Sequence, residues 1–281
     1  MLTSCYTTEN KVLHVSVDSL KRLFITNSGI YSCKLKIYSP NLQFLTYSGM
    51  PEDLLHTDHV FSSIVDADID IAFAPIYNNT KRSKARQCGL KNLLGGISNV
   101  KVLHISASTL KTFYYEDIHA QMPTFPDLRR LEVSSKLSCK ASIGLFHLLL
   151  NVPNLESFVI AQESSSPFSI TCLPGMTQFF GLRHKSIYKL GFSPFTNYLG
   201  SDKERVPDCL LLQLKVVEVR EFDGKQEELD IINYFLKNSL VLQTMTIAFP
   251  SSLPQYKRDR IINKILMFPK GSTCSAINFL S

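Results

Sequence analysis

The sequence lacks most of the features that mark catalytic, secreted or membrane proteins. No two cysteines are spaced CxxC, and the seven present (Cys5, Cys33, Cys88, Cys139, Cys172, Cys209, Cys274) are far apart and odd in number. That is the pattern of reduced, buried thiols in a cytosolic or nuclear protein, not of a disulfide framework. No apolar run approaches the roughly 20 residues of a membrane span, the longest lying at Leu145–Leu150. Residues Met1 to Lys11 lack the basic start and apolar stretch of a secretory leader. These absences predict an intracellular protein, cytoplasmic or nuclear, with no membrane partner.

Charge of one sign is also scarce, since 30 Lys and Arg stand against 24 Asp and Glu for a net +6 over 281 residues. Nucleic-acid binders concentrate basic residues on one element, and the single dense group here is Lys81, Arg82, Lys84 and Arg86, beside Asn78 and Asn79. It reads as a solvated loop, with a nuclear-import or nucleic-acid patch as the alternative. No glycine-rich phosphate loop follows a strand: Gly95-Gly96 comes after a helical pattern and before a strand, the wrong side for a dinucleotide.

Candidate chemistry fails on spacing. His56 and His59 flank Asp58 without a third and fourth ligand, which a metal site needs. Asp66, Asp68 and Asp70 alternate like a calcium loop but lack its central glycine and closing glutamate, and Ile69 and Ile71 mark Asp68 and Asp70 as the outward residues of a strand. A cysteine nucleophile needs a histidine base whose proximity is not read from sequence, and with seven of each scattered along the chain no pair is singled out. Asn78-Asn79-Thr80 is a glycosylation sequon, unused in the absence of a secretory signal. No catalytic, cofactor-binding or metal-binding residue is therefore assigned, and the chain is not expected to be an enzyme.

What is present is a repeat. Apolar residues make up 44% of the chain and charged residues 19%, spread along its whole length, so one continuous body is expected. An apolar residue, two variable positions, an apolar residue, one variable position and a third apolar residue recur. The copies are Leu20-Leu23-Ile25, Leu42-Leu45-Tyr47, Val100-Leu103-Ile105, Leu128-Leu131-Val133, Leu155-Phe158-Ile160, Leu214-Val217-Val219 and Leu242-Met245-Ile247. Degenerate copies fill two long gaps, one ending in Ile69 and Ile71 and one at Ile187-Leu190-Phe192. About nine units at a mean period of roughly 28 residues fall in the leucine-rich-repeat range.

The last two apolar residues of each copy are two apart, so both point to one face of a short strand. One such strand cannot bury that face alone, whereas many stacked in parallel can. Leu90, Leu93, Leu94 and Ile97 form a helical stripe before one strand, and Leu145, Leu148 and Leu149 before another. Pro40-Asn41, Pro126-Asp127 and Pro153-Asn154 stop the return segment and turn the chain into the strand. The expected fold is an α/β leucine-rich-repeat solenoid over residues 1–205, with parallel strands on the concave face and helices and loops on the convex face. An α+β cap over residues 206–281 closes it. There, helices are predicted at Lys225 to Leu236 and at Leu253 to Phe268, the second with Ile261, Ile262, Ile265 and Leu266 inward, and a last strand at Ile277 and Phe279.

In each strand the variable positions face away from the core. Those are Arg22 and Phe24, Phe44, Asp68 and Asp70, His104, Arg130 and Glu132, Lys189, then Glu218 and Arg220. Mixed charge with two aromatics suits a protein partner on the concave face better than the uniform negative charge of nucleic acid. An ordinary solvated face is the competing reading for any one of them.

The stretch VPDCLLLQLKVVEVREFDGKQEELDIINYFLKNSLVLQTMTIAFP (206–250) resembles the FBD domain of the plant F-box/FBD/LRR-repeat family. The tail from Arg258 is similar to that family's closing helix and strand, and YSPNLQFLTYSG (38–49), DADIDI (66–71) and VPNLESFVI (152–160) are similar to its repeat segments. The resemblance implies the substrate-recognition part of an SCF-type ubiquitin-ligase receptor, gripping a target protein of unknown identity. Family members open with an F-box that docks on a Skp-type adaptor, and no such segment is recognised here, so adaptor docking is not expected of this chain. The alternative is a truncated or vestigial structural product with no ligase role.

Overall fold

The computed structural model describes residues 2–3, 12–26, 34–51, 61–71, 80–115, 121–134, 137–161 and 206–280. Twelve strands and six helices occur among them. The strands are β1 (Leu2–Thr3), β2 (Val12–Ser16), β3 (Arg22–Thr26), β4 (Lys34–Tyr38), β5 (Phe44–Gly49), β6 (Asp66–Ile71), β7 (Val102–Ser106), β8 (Arg130–Ser134), β9 (Ser157–Ala161), β10 (Val216–Val219), β11 (Thr244–Ala248) and β12 (Ala276–Leu280). The helices are α1 (Thr80–Gly96), α2 (Ala107–Tyr115), α3 (Cys139–Leu149), α4 (Asp208–Leu212), α5 (Gln226–Asn238) and α6 (Gln255–Leu266). Ten strands form one parallel sheet in the order β1-β3-β5-β6-β7-β8-β9-β10-β11-β12, and β2 pairs with β4 in a second sheet.

Register explains why the sheet holds. Leu23, Leu45, Ala67, Leu103, Leu131, Phe158, Val217, Met245 and Ile277 are successive partners across it, and Ile25, Tyr47, Ile69 and Ile105 begin the parallel row two residues on. Nearly all are fully buried, so each strand gives its two apolar side chains to a core that no single strand could assemble. The β6 copy is Ile64-Ala67-Ile69, because Ala67 pairs with Leu45 and Ile69 with Tyr47. The sequence pattern ends this copy at Ile69 and Ile71, and the small alanine in the middle position is why its frame is two residues off there. The copy at Ile187-Leu190-Phe192 lies outside the described residues.

The spacing of the units decides what returns the chain. Arg22 pairs with Phe44 and Phe44 with Asp66, a step of 22 residues each time, whereas Val102 to Arg130 and Val216 to Thr244 are steps of 28. A helix advances about 1.5 Å per residue and a strand about 3.3 Å. Where its return is described, the short unit crosses the layer in extended form: β4 returns the chain between β3 and β5, as β2 does between β1 and β3. Leu35 and Ile37 of β4 are buried and Lys34, Lys36 and Tyr38 exposed. A strand return had not been expected, since the convex side was assigned to helices and loops. The longer units have room for helices, and the stripes Leu90-Leu93-Leu94-Ile97 and Leu145-Leu148-Leu149 are buried as expected.

Backbone and side-chain hydrogen bonds lock one unit to the next ahead of the strands. The Lys21 carbonyl accepts from the Gln43 and Phe44 amides at 2.9 and 3.0 Å, the Gln43 carbonyl from Val65 and Asp66, and the Lys101 carbonyl from Arg129 and Arg130. The Asn41 side chain donates to the Asp18 carbonyl (2.9 Å) and Asn154 to the Pro126 carbonyl (2.8 Å), each reaching back one unit. The Pro-Asn pairs thus tie adjacent units together besides turning the chain.

Two helices meet unusually closely. α2 starts directly at the end of β7, where Ser106 Oγ accepts from the Thr109 amide as a cap, and the buried Thr109 hydroxyl accepts from the Ile71 amide (2.8 Å) at the end of β6. Gly144 of α3 lies against α2 so tightly that a Cβ would fall on the Leu110 carbonyl oxygen. At the other end of the chain, Gly224 has φ +72° and lies against Ile261 of α6, a backbone conformation that glycine adopts without penalty.

Two further expectations are corrected. The basic group at 81–86 is not a loop: it lies in α1, where Arg86 is 1% exposed while Lys84 is exposed. At that exposure the guanidinium leaves water together with its aliphatic stem, which costs free energy unless the charge is paired or hydrogen-bonded. The second C-terminal helix is shorter than expected, and only Ile265 is fully buried, with Ile261 and Ile262 half-buried and Leu266 53% exposed. α6 packs against α5, while Tyr256, Lys257 and Leu266 on it stay exposed.

Candidate functional site

The side of the ten-stranded sheet opposite the helices carries the variable strand positions in three rows. Arg22, Phe44, Asp66, Val102, Arg130 and Ser157 are successive partners in the first, and Phe24, Thr46, Asp68, His104, Glu132, Val159 and Glu218 in the second. Thr26, Ser48 and Asp70 open the third. Every expected face residue that is described points to this side, with Arg22, Phe24, Asp68 and Arg220 exposed and Phe44, Asp70, His104, Arg130, Glu132 and Glu218 partly so. Lys189 lies outside the described residues.

The face differs along its length. At β3 and β5 the Arg22 guanidinium lies 4.6 Å from the Phe44 ring centroid, a cation–π contact that explains why Phe44 is only partly exposed. Phe24 beside it remains 48% exposed. On β6 three carboxylates stand at alternate positions, with Asp70 accepting from Ser48 Oγ (3.2 Å) and Asp66 3.8 Å from His104 Nε2. His104 Nδ1 is also 3.8 Å from Glu132, so it stands between carboxylates of two neighbouring strands.

Further along, charges satisfy one another. Arg130 pairs with Glu132 at 3.1 Å and reaches Ser157 Oγ at 3.4 Å, and Arg220 pairs with Glu218 at 2.7 Å. The hydrogen bond to Glu218 raises the Arg220 pKa above its usual value, with the charge of Glu132 adding to the effect. Between them Val159, on the outward side of β9, is fully buried, and Ala161 is 8% exposed. The face is open at β3 to β8 and covered at β9. Alternation with the inward Phe158 turns Val159 outward, and only the tertiary structure shows that it is covered.

Reactive chemistry is sparse among the described residues. No group of three His, Cys, Asp or Glu is placed to hold a metal ion, and no helix is long and apolar enough to cross a membrane. Cys88 and Cys274 are exposed and Cys139 is partly buried. Cys209 is buried with its thiol donating to the Leu149 carbonyl (3.8 Å), and burial pushes its pKa up to about 12. Such a thiol is neutral and inert at physiological pH. Iodoacetamide at pH 8 should label Cys88 and Cys274 in the native protein and Cys209 only after denaturation; native labelling of Cys209 would show that its cover is wrong. The sign of the pH effect follows. The unfolded chain loses this proton near pH 9 while the folded chain keeps it to about 12. Stability should therefore fall as pH rises through that window, by at most about 1.4 kcal/mol per pH unit from this group. Urea melts at pH 8 and 11 should show that decrement shrinking in Cys209→Ala.

Known proteins identify the class. The FBD family profile matches residues 202–247. A putative F-box/FBD/LRR-repeat protein of Arabidopsis thaliana is 33% identical over 256 residues, covering 85% of this chain and 52% of its own length. An F-box/LRR-repeat protein of the same plant is 28% identical over 250 residues (82% and 49%), and another putative F-box/FBD/LRR-repeat protein is 24% identical over 272 residues (93% and 53%). The chain spans about half the length of these relatives, and their names describe F-box and repeat proteins, not enzymes. No solved structure matches it. These are proteins of the F-box/LRR class. Within that class, the chain belongs to the plant F-box/FBD/LRR-repeat family.

Proposed function

We propose that the chain is a protein-binding module of leucine-rich-repeat type. Its parallel strands form the inner wall of a solenoid through residue 205, and the FBD segment 206–281 continues and caps it. The reading rests chiefly on one observation: successive strands in register present Arg22, Phe24, Phe44, Asp68, Asp70, His104, Arg130 and Glu132 on one side that the helices leave open. Mixed charge with partly exposed aromatics is the make-up of a protein-recognition surface. In the full-length context of its relatives, this module would present a target protein to a ubiquitin ligase of the Skp–cullin type inside the cell.

The test is comparative affinity purification from plant cells. The wild-type chain is set beside a Phe24→Ala/Asp68→Asn/Arg130→Ala variant and beside a control changed at Lys84 and Lys257, exposed residues of α1 and α6. All three should melt alike. A partner retained by wild type and control and lost by the face variant is the expected result. Partners shared equally by all three would overturn the proposal.

A further inference from the structure

The face is not uniform, and its asymmetry specifies what it would hold. At β9 it is covered, with Val159 fully buried. On β8 and just after β10 the arginines are engaged by their own neighbours, Arg130 by Glu132 and Arg220 by Glu218. Of the open face, the stretch before these engaged arginines is β3 to β7. Across it the chemistry changes in order, from the guanidinium of Arg22 through the exposed ring of Phe24 and the half-exposed ring of Phe44 to the carboxylates of β6.

The Arg22–Phe44 contact matters here. Stacking on a ring holds a guanidinium in one plane without neutralising it, leaving its edge donors for a bidentate carboxylate. Adjacent strands lie about 4.8 Å apart, so β3 and β6 are separated by roughly 10 Å, the span of about three residues of an extended chain at 3.3 Å each. One short segment crossing the strands can therefore meet all three chemistries at once. The chain as a whole is net basic, so the carboxylates of β6 run against its general charge and set the polarity of the site.

We propose that the target is bound through an extended peptide segment laid across β3, β5 and β6, offering an acidic residue to Arg22, an apolar residue to Phe24 and a basic residue, within about four positions, to Asp66 and Asp68. This rests on the binding-module reading above and deepens it. A nucleic acid fits poorly, because its backbone would meet the β6 carboxylates.

The experiment is selection of a displayed library of random twelve-residue peptides on the whole chain, followed by affinity measurement of the enriched peptides on variants that melt like wild type. Enriched sequences should place Asp or Glu, an apolar residue and Lys or Arg in that order. They should bind Phe24→Ala at least about ten-fold more weakly. Selection on Arg22→Glu should replace the acidic position by a basic one, and selection on Asp68→Lys the basic position by an acidic one. Enriched peptides that depend on Phe24 but ignore both charge reversals would overturn this inference and leave the binding-module reading standing. Peptides indifferent to Phe24, Asp68 and Arg130 alike, or no enrichment over bare support, would remove both.

Discussion

Gly144→Ala should destabilise the protein by about 3 kcal/mol or more, although glycine-to-alanine in a helix ordinarily stabilises by up to about 1 kcal/mol. The sign reverses because the added methyl group would land on the Leu110 carbonyl oxygen, a backbone atom that cannot rotate away. Relief requires α2 to move off α3. α2 cannot move freely, since Thr109 within it is hydrogen-bonded to the Ile71 amide at the end of β6 and to Ser106. Gly95→Ala in α1 is the matched control, because a Cβ there meets nothing within 4 Å. Urea denaturation followed by circular dichroism should show the two alanines moving the midpoint in opposite directions or, at the least, only Gly144→Ala lowering it. Equal effects would mean that the two helices do not approach as described.

Phe158→Ala is the second large effect, expected at about 3–5 kcal/mol for a fully buried phenylalanine. The side chain is 0% exposed, its ring stacks on Phe235 of α5 at 4.9 Å, and its backbone partners are Leu131 on β8 and Val217 on β10. The cavity would therefore open where the repeat strands meet the FBD segment. Because β9 and β10 are paired in one sheet, amides of β8, β9, β10 and β11 should lose hydrogen-exchange protection together. Loss confined to residues 206–280 would instead mark that segment as a separate cooperative unit.

Much of this was legible in the chain. Wherever the middle position of the motif is large, as at Leu45, Leu103, Leu131 or Phe158, alternation of period two fixed both the strand and the buried side, and register then aligned the copies. At the β6 copy alternation still gave the strand and its buried side through Ile69 and Ile71, but not the copy's frame, since a small Ala67 stands where the motif has a large residue. Arg86 misled for a related reason: four basic residues in six read as a solvated run, and only the packing of α1 against the strands could show that one is buried. Phe24 and Asp68 were recognised as outward, yet the contact of Arg22 with Phe44 joins side chains 22 residues apart and leaves no local trace.

The amino-acid sequence by itself determined the repeating strands, which side of each is buried, the helices of the longer units and the family, because these depend on periodicity and on residues close together in the chain. Tertiary structure alone decided where the face is open and where it is covered. It also decided which arginines are already engaged and how near α2 comes to α3. Those depend on which units become neighbours, and that is set by the lengths of the returns and the volumes of side chains tens of residues apart.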